Sequence, residues 1–528
     1  MSVICQLVLP LILLAYLVSK LLTPKAAVAL NVPTVTFGRF VPNSVNRLLF
    51  FVGGRYLVYK GYKKVQYKDV PFRILKVDAD VIVLPAKYLP QIRSLGHSHV
   101  SLVDAQSASI CGEYLNILQG TNLPSLTVVK KLTPALSKWL LTSLSTSLSD
   151  STTYRIMPKL INELDHAFAI ELPECKAENW AQINLYFTIL KLITRSTSRV
   201  IAGETLCRDE KWLSTVTKYS EQLGITLVFL RPLPPFLRPL AAKILPSVRY
   251  LSRTLEYVKD ELFVPIILAR CEAETYDSDY QKPDDFIQWM MDTAESDFDK
   301  EPGNIAYGVM AIMALAITHT TTMLITQGIY DLLIRPEYLE PLRREITITL
   351  KDGWANASVK EFTSQRLLDS FLRESQRLNP SSEYNVHRIT KQPLTLTDGF
   401  FIPENTYIVF PSGPLSRDAS IINDPEVFDG YRWCNDHMDT NMDKARTMSS
   451  LVTINESNLH FGYGREACPG RFFAAHASKA ILSRLLVEYD IRFLDGKEGV
   501  RPANIRNGEH IMPNIFTKVL IRRRGVAL

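Results

Sequence analysis

The order of apolar and polar positions divides the chain into a short N-terminal segment and a long body. The first 19 residues, "MSVICQLVLPLILLAYLVS", hold no charged side chain, and Lys20 and Lys25 follow. A bilayer span takes about 20 mostly apolar residues, so residues 1–22 are expected to form one N-terminal transmembrane helix. Ala27-Val28-Ala29 would also suit a cleaved signal peptide. The missing basic stretch ahead of the segment, and its long apolar run, favour the anchor. Basic residues only follow it (Lys20, Lys25, Arg39, Arg47, Arg55), which keeps the body cytosolic by the positive-inside tendency. Residues 23–37, with Pro24 and Pro33, read as a hinge linker, and 38–528 as a single domain.

Within the body the period changes twice. "PFRILKVDADVIVLP" (71–85) alternates around Asp78-Ala79-Asp80, predicting a hairpin. "PLTLTDGFFIPENTYIVFP" (393–411) places Asp398-Gly399 between two β-rich runs, a second hairpin signal. Between them, residues 208–225, 245–274 and 283–295 show apolar spacing near 3.6 and predict helices. The fold class is therefore mainly α with small β-sheets.

Residues 305–334, "IAYGVMAIMALAITHTTTMLITQGIYDLLI", contain no proline. As a helix they span roughly 45 Å, with Asn304 as expected N-cap and a stop before Pro336. A helix apolar nearly all round runs through the middle of a domain. That reading is preferred to a second membrane span, because Thr318 to Thr322 form a polar knot within it. Residues 224–246, "GITLVFLRPLPPFLRPLAAKILP", read either as a buried connector or as a surface loop that dips into lipid or gates an apolar pocket. Residues 434–458 read as loop.

Composition narrows the chemistry. A net charge of +6 over 528 residues, with basic side chains dispersed, excludes a nucleic-acid surface. Seven scattered cysteines without a C-x-x-C pair argue against a disulfide framework and against a zinc or iron–sulfur cage. Cys468 must then act alone, inside "HFGYGREACPGRFFA" (460–474), ahead of a helix expected over 471–489. Upstream, "SFLRESQRLNP" (370–380) sets Glu374 and Arg377 on one helix face, with Arg432 in "RDASIINDPEVFDGYRW" (417–433) as a third partner.

Together these motifs resemble the cytochrome P450 superfamily. "HFGYGREACPGRFFA" is similar to its F-G-x-G-x-R/H-x-C-x-G loop, "ESQR" to its E-x-x-R, and "AITHTT" to its A-G-x-D/E-T-T. "TPALSKW" and "DPEVFDGYRW" resemble fungal microsomal members used in secondary metabolism. The resemblance implies the cytochrome P450 fold, with a long central helix over a haem b. Cys468 would be the thiolate ligand of the haem iron, flanked by Phe461, Gly462, Gly464, Arg465 and Gly470. The glycines would let backbone approach the porphyrin, and the helix N-terminus would lower the thiol pKa. Arg388 would pair with a haem propionate, and Glu374, Arg377 and Arg432 would form a buried structural network.

Two departures stand out. Glu466 occupies a position usually Arg or His, so it is expected to turn away, with Arg465 substituting. The glycine and acid before the threonine are missing: Thr320 is the expected proton-delivering alcohol, with His319 either a relay or facing away. The implied activity is insertion of one oxygen atom from O2 into a lipophilic, terpenoid-like or other polycyclic substrate. Electrons would come from NADPH through cytochrome P450 reductase, with cytochrome b5 as a second donor, on the endoplasmic reticulum membrane. Arg471, Lys479 and Arg484 are candidates to steer the reductase. The substrate pocket is expected from the 309–317 face, residues 381–386 and the 224–246 segment. Two other readings keep the haem: an isomerase, dehydratase or oxidative coupling enzyme, and a non-enzymatic sensor.

Overall fold

The computed structural model describes residues 30–64, 69–115, 117, 121–134, 136, 156–174, 179–434, 450–526 and 528. The expected transmembrane helix, the first part of the expected hinge and residues 435–449 lie outside them. From Leu30 onward the chain is docked on the body. β1 (Thr34–Val35) pairs in parallel with β2 (Phe72–Leu75), and Val35 is buried. Residues 30–37 are thus part of the domain and not a free hinge.

The first expected hairpin forms, with β2 antiparallel to β3 (Asp80–Val83). β4 (Val100–Ser101), β6 (Asn385–Thr390) and β9 (Tyr407–Phe410) complete a six-stranded sheet in the order β1-β2-β3-β9-β6-β4. The second hairpin is short, β7 (Leu394–Thr395) against β8 (Phe401–Ile402), and its turn needs Gly399 at φ 83°. β5 (Ala181–Asn184), β10 (Tyr489–Phe493) and β13 (Lys518–Arg523) make a second sheet, and β11 (Ile505–Asn507) with β12 (His510–Met512) a third.

Helices form the bulk. The principal ones are α1 (Asn43–Lys63), α2 (Leu89–Ser94), α3 (Ile156–Glu171), α4 (Leu185–Ile201), α5 (Glu210–Leu230), α6 (Arg238–Ile244) and α7 (Pro246–Tyr257). They continue with α8 (Val264–Tyr276), α9 (Phe286–Thr293), α10 (Pro302–Leu333), α11 (Leu339–Thr349), α12 (Arg366–Leu378) and α13 (Arg471–Glu488). Side-chain caps start several of them: Asn184 accepts from the Phe187 N–H, and Asp209 from the Trp212 N–H.

α10 is the axis of the body, packed against α4, α12 and α13. Its apolar surface is buried in the protein, as expected of a core helix. Its start differs from expectation. Glu301 occupies the N-cap with Pro302 first in the helix, while the Asn304 amide bonds back to the Phe298 carbonyl at 2.7 Å. Pro302 fits there because its missing N–H would have no partner in any case. Residues Ile312–Ile317 form a π-helical segment, which apolar periodicity does not reveal. Such a bulge leaves carbonyls out of the regular ladder. Two hydroxyls meet them: Thr318 donates to Met313 at 2.5 Å, and Ser220 of α5 donates to Ala314 at 3.1 Å.

Candidate active site

The cysteine loop is closed by its own backbone. The Cys468 N–H donates to the Phe461 carbonyl at 2.7 Å, and the Gly462 N–H to Leu459 at 2.8 Å. This tight path needs φ 79° at Gly462 and φ 71° at Gly464, which side chains disfavour. A Cβ at 464 would also strike Arg93 on α2, 2.8 Å from Cγ, and one at 462 would press on Ala467. Both glycines are therefore required by the loop's own turn, and Gly464 also by α2. Thr133 holds the loop from another side through the Pro469 carbonyl, at 2.8 Å.

Gly470 caps α13, and the N–H groups of Gly470 and Arg471 turn toward the Cys468 sulfur. Burial nevertheless pushes the thiol pKa up, outweighing those N–H groups and the Arg471 charge that lower it. The helix N-terminus does not by itself hold a thiolate here. A metal does so by binding only the deprotonated form. Although it lies deep in the protein, Cys468 is uncovered, so its side chain faces a cavity.

α10 shows the same signature. Around its middle Ile312, Met313, Ala314, Ile317, Thr318, Thr321 and Thr322 are buried, while Ala316 and Thr320 are uncovered. These two are one turn apart on one face, and the Thr320 hydroxyl donates to the Ala316 carbonyl at 2.5 Å. His319 is on another side. Its Nδ1 lies 2.7 Å from the Tyr186 hydroxyl on α4, with the rings stacked at 6.3 Å. Burial pushes the His319 pKa down, so it is neutral. His319 is a packing partner of α4 and not part of the Thr320 face. Most of the expected 309–317 pocket face is core as well, with Ala316 the uncovered position.

Arg388 on β6 is buried, with Nε unpartnered and one N–H on the His387 carbonyl at 2.7 Å. Burial pulls its pKa down to about 10, against the opposing field of Glu466. Glu466 does turn aside, to His97 at 3.1 Å. Arg465 is exposed and makes no ion pair with another described residue.

Glu374, Arg377 and Arg432 come together as expected. Arg377 bonds both Glu374 oxygens at 2.7 and 2.8 Å, and Arg432 reaches Oε1 at 3.2 Å. Trp433 adds an indole N–H to Oε2 at 3.2 Å. The remaining Arg377 donors hold the carbonyls of Ser416, Pro425 and Val427, fixing the segment that leads toward the loop.

The expected reductase-steering residues are not free. Lys479 is buried against Asp369, Arg484 is paired with Asp165 and Glu488, and Arg471 donates to the Cys468 carbonyl. The 224–246 segment includes the end of α5 and all of α6; Leu230 and Ala242 are buried, while several other apolar side chains are outside. Phe229 is 58% exposed, Leu240 59% and Ile244 62%. Sequence reasoning missed Tyr186, Ser220 and His97. Each lies far along the chain from its partner and carries no local signal.

Residues 143–513 match the family described as Cytochrome P450. The chain belongs to the cytochrome P450 family. It is 40% identical over 516 residues to the cytochrome P450 monooxygenase penP of Penicillium crustosum, covering 97% of this chain and 94% of that one. It is 40% identical over 496 residues to AtmP of Aspergillus flavus (94% and 90%) and 39% over 509 residues to paxP of Penicillium paxilli (96% and 93%). Both are likewise cytochrome P450 monooxygenases. Like them, the chain is a cytochrome P450 monooxygenase.

Family membership implies a haem held by a thiolate. The residues present fit that group. One uncovered sulfur meets two backbone N–H groups, an apolar helix face opens on a cavity, and a buried guanidinium has an unused donor for a carboxylate.

Proposed function

We propose that this cytochrome P450 is a membrane-anchored monooxygenase that places one oxygen atom of O2 in a lipophilic substrate within a secondary-metabolite pathway. The substrate is a terpenoid or similar polycyclic molecule. A haem bound here would supply the activation of O2. In this reading Cys468 is its thiolate ligand, Arg388 meets a propionate through its unused Nε, and Thr320 positions protons at the cavity face of α10. The observation that carries the reading is the uncovered Cys468 sulfur, deep within the protein and beside backbone N–H groups. The protein's part is to exclude water, fix the ligand and hold a hydroxyl where protons are needed.

Electrons come from NADPH through cytochrome P450 reductase, with cytochrome b5 as a second donor. The docking face lies over the cysteine loop, where Arg465 is exposed and Thr133 ties the neighbouring segment to Pro469. The anchor at residues 1–22 places the body on the cytosolic face of the endoplasmic reticulum. The exposed Val228, Phe229, Phe236, Leu240 and Ile244 support contact with lipid around α5 and α6.

The test is turnover under labelled dioxygen with NADPH and a fungal reductase, offered a set of polycyclic terpenoids. The reading expects one labelled oxygen atom in a product and a matching loss of NADPH. Product lacking the label would refute oxygen insertion.

A further inference from the structure

A groove between α5 and α7, open to the surface, has no part in the proposed reaction. Its volume is about 680 Å³, and its walls include Lys211 of α5 and Arg249, Tyr250, Arg253 and Tyr257 of α7. Among the described residues no carboxylate lines it. The nearby acids are engaged elsewhere. Glu210 pairs with Arg195 at 2.7 Å, Asp209 caps α5, and Glu256 accepts from Tyr307 at 2.7 Å and pairs with Lys259. Glu261 acts on Lys211 through its charge, without a bond.

The three cations of the groove have no carboxylate partner among the described residues. Lys211 lies over the Tyr257 ring at 4.4 Å, and Arg249 donates to the Lys243 carbonyl at 3.0 and 3.2 Å. Arg253 is exposed and makes no hydrogen bond or ion pair with another described residue. Like charges set along one cavity repel one another and favour an anion between them.

One end of the groove adjoins an apolar surface. The Arg249 bond to Lys243 fastens the start of α7 to α6, whose exposed Phe236, Leu240 and Ile244 are the proposed lipid contact. Pro246, at that end of the groove, follows Ile244 by two residues. The headgroup layer of one leaflet is roughly 5–8 Å deep, so a lipid phosphate beside Ile244 lies near Arg249. From Pro246 to Tyr257 the groove runs on for about 16 Å along α7, past Arg253 to Lys211. A single diester phosphate would leave those two cations unanswered.

From this placement we infer that the α5–α7 groove binds the headgroup of an anionic membrane lipid carrying more than one phosphate, a phosphorylated inositol lipid. The volume lies within the roughly 300–1,000 Å³ of small-molecule sites. Arg249 and Arg253 meet phosphate oxygens with charge-assisted hydrogen bonds, and Lys211 adds a third positive charge. The inference goes beyond the reaction and takes from the proposed reading only the lipid contact of α6. Such a headgroup would hold α7 at the membrane surface.

The test titrates the detergent-solubilised, haem-loaded full chain with dioctanoyl phosphatidylinositol bisphosphate by calorimetry, beside dioctanoyl phosphatidylserine and phosphatidylcholine. The bisphosphate should bind most tightly. Arg253→Gln should weaken it about fivefold, the share of one cation near an anionic lipid. Lys218→Gln, which removes an exposed α5 cation outside the groove, should leave it unchanged. Both variants should match the wild-type yield of holoprotein. Equal affinity for the three lipids, or an equal loss in both variants, overturns the inference. The lipid should also bind more tightly than free inositol trisphosphate, because its chains add contact with α6. Equal binding of the free trisphosphate would make the occupant a soluble phosphate, and tighter, Arg253-dependent binding of a polyglutamate peptide would make it a protein. Either result overturns the lipid assignment. These titrations need no substrate, reductase or turnover, so they stand or fall apart from the monooxygenase reading.

Discussion

Arg377 grips Glu374 with two hydrogen bonds, at 2.7 and 2.8 Å, where the Glu374 side chain is 0% exposed. Burial alone would raise the Glu374 pKa. The Arg377 bonds and charge, the Asp429 N–H and Arg432 together bring it below the usual value. Removing one partner of a buried pair costs about 3–5 kcal/mol. Arg377→Leu is therefore expected to abolish accumulation of folded, haem-containing protein, measured by absorbance at expression. A normal yield of holoprotein would show the network to be dispensable. Because the folded pKa is depressed, this contribution is present above the unfolded carboxylate value near 4.3 and is lost as pH falls through the folded one.

A second acid sensitivity is set higher. Burial holds His319 below its ordinary pKa and brings His387, His460 and His476 to about 3. Unfolding lets all four take up protons near 6.5. The stability from keeping them neutral is complete above that pH and falls as pH drops, by up to about 1.4 kcal/mol per pH unit per histidine. Urea midpoints should therefore decline steeply between pH 6.5 and 5. A flat profile over that interval would contradict the burial of these rings.

Thr320 and His319 separate cleanly. Proton transfer from a positioned side chain contributes on the order of 100-fold, and Thr320 is the uncovered hydroxyl of the pair. Thr320→Ala should lower product formed per NADPH by roughly tenfold or more, with peroxide rising. His319→Gln should keep the coupling near wild type, because the ring it replaces faces Tyr186. The reverse pattern would move the role to His319.

Glu466 sits two residues before Cys468 and bonds His97, which is 60% exposed, at 3.1 Å. An exposed pair of this kind contributes little, whereas the Glu466 charge still acts on Arg388 from where it sits and opposes a propionate there. Glu466→His is expected to retain haem at least as long as wild type when excess apomyoglobin is offered. Faster haem transfer would sink the argument.

Much of the architecture was legible in the chain because α10 is apolar all round and the hairpins alternate. Periodicity located that helix within a few residues, but it could not see the π segment, since one extra residue per turn leaves the pattern equally apolar. The i, i+3 spacing brought out Glu374 and Arg377, yet not Trp433 as a further donor. Basic side chains on α13 read as surface until Asp369 and Asp165, distant in sequence, were found to neutralise Lys479 and Arg484. The helical rotation of about 100° per residue separated His319 from Thr320. It could not name Tyr186, which reaches His319 from another helix.

The central claim is that Cys468 ligates haem iron as a thiolate. The direct measurement is the reduced carbon-monoxide difference spectrum of the expressed protein, beside a Cys468→Ser control. The account predicts a red-shifted, thiolate-type Soret band in the wild type that is absent from the control. A band at the shorter wavelength of neutral ligation in the wild type, or an unchanged band in Cys468→Ser, would contradict it.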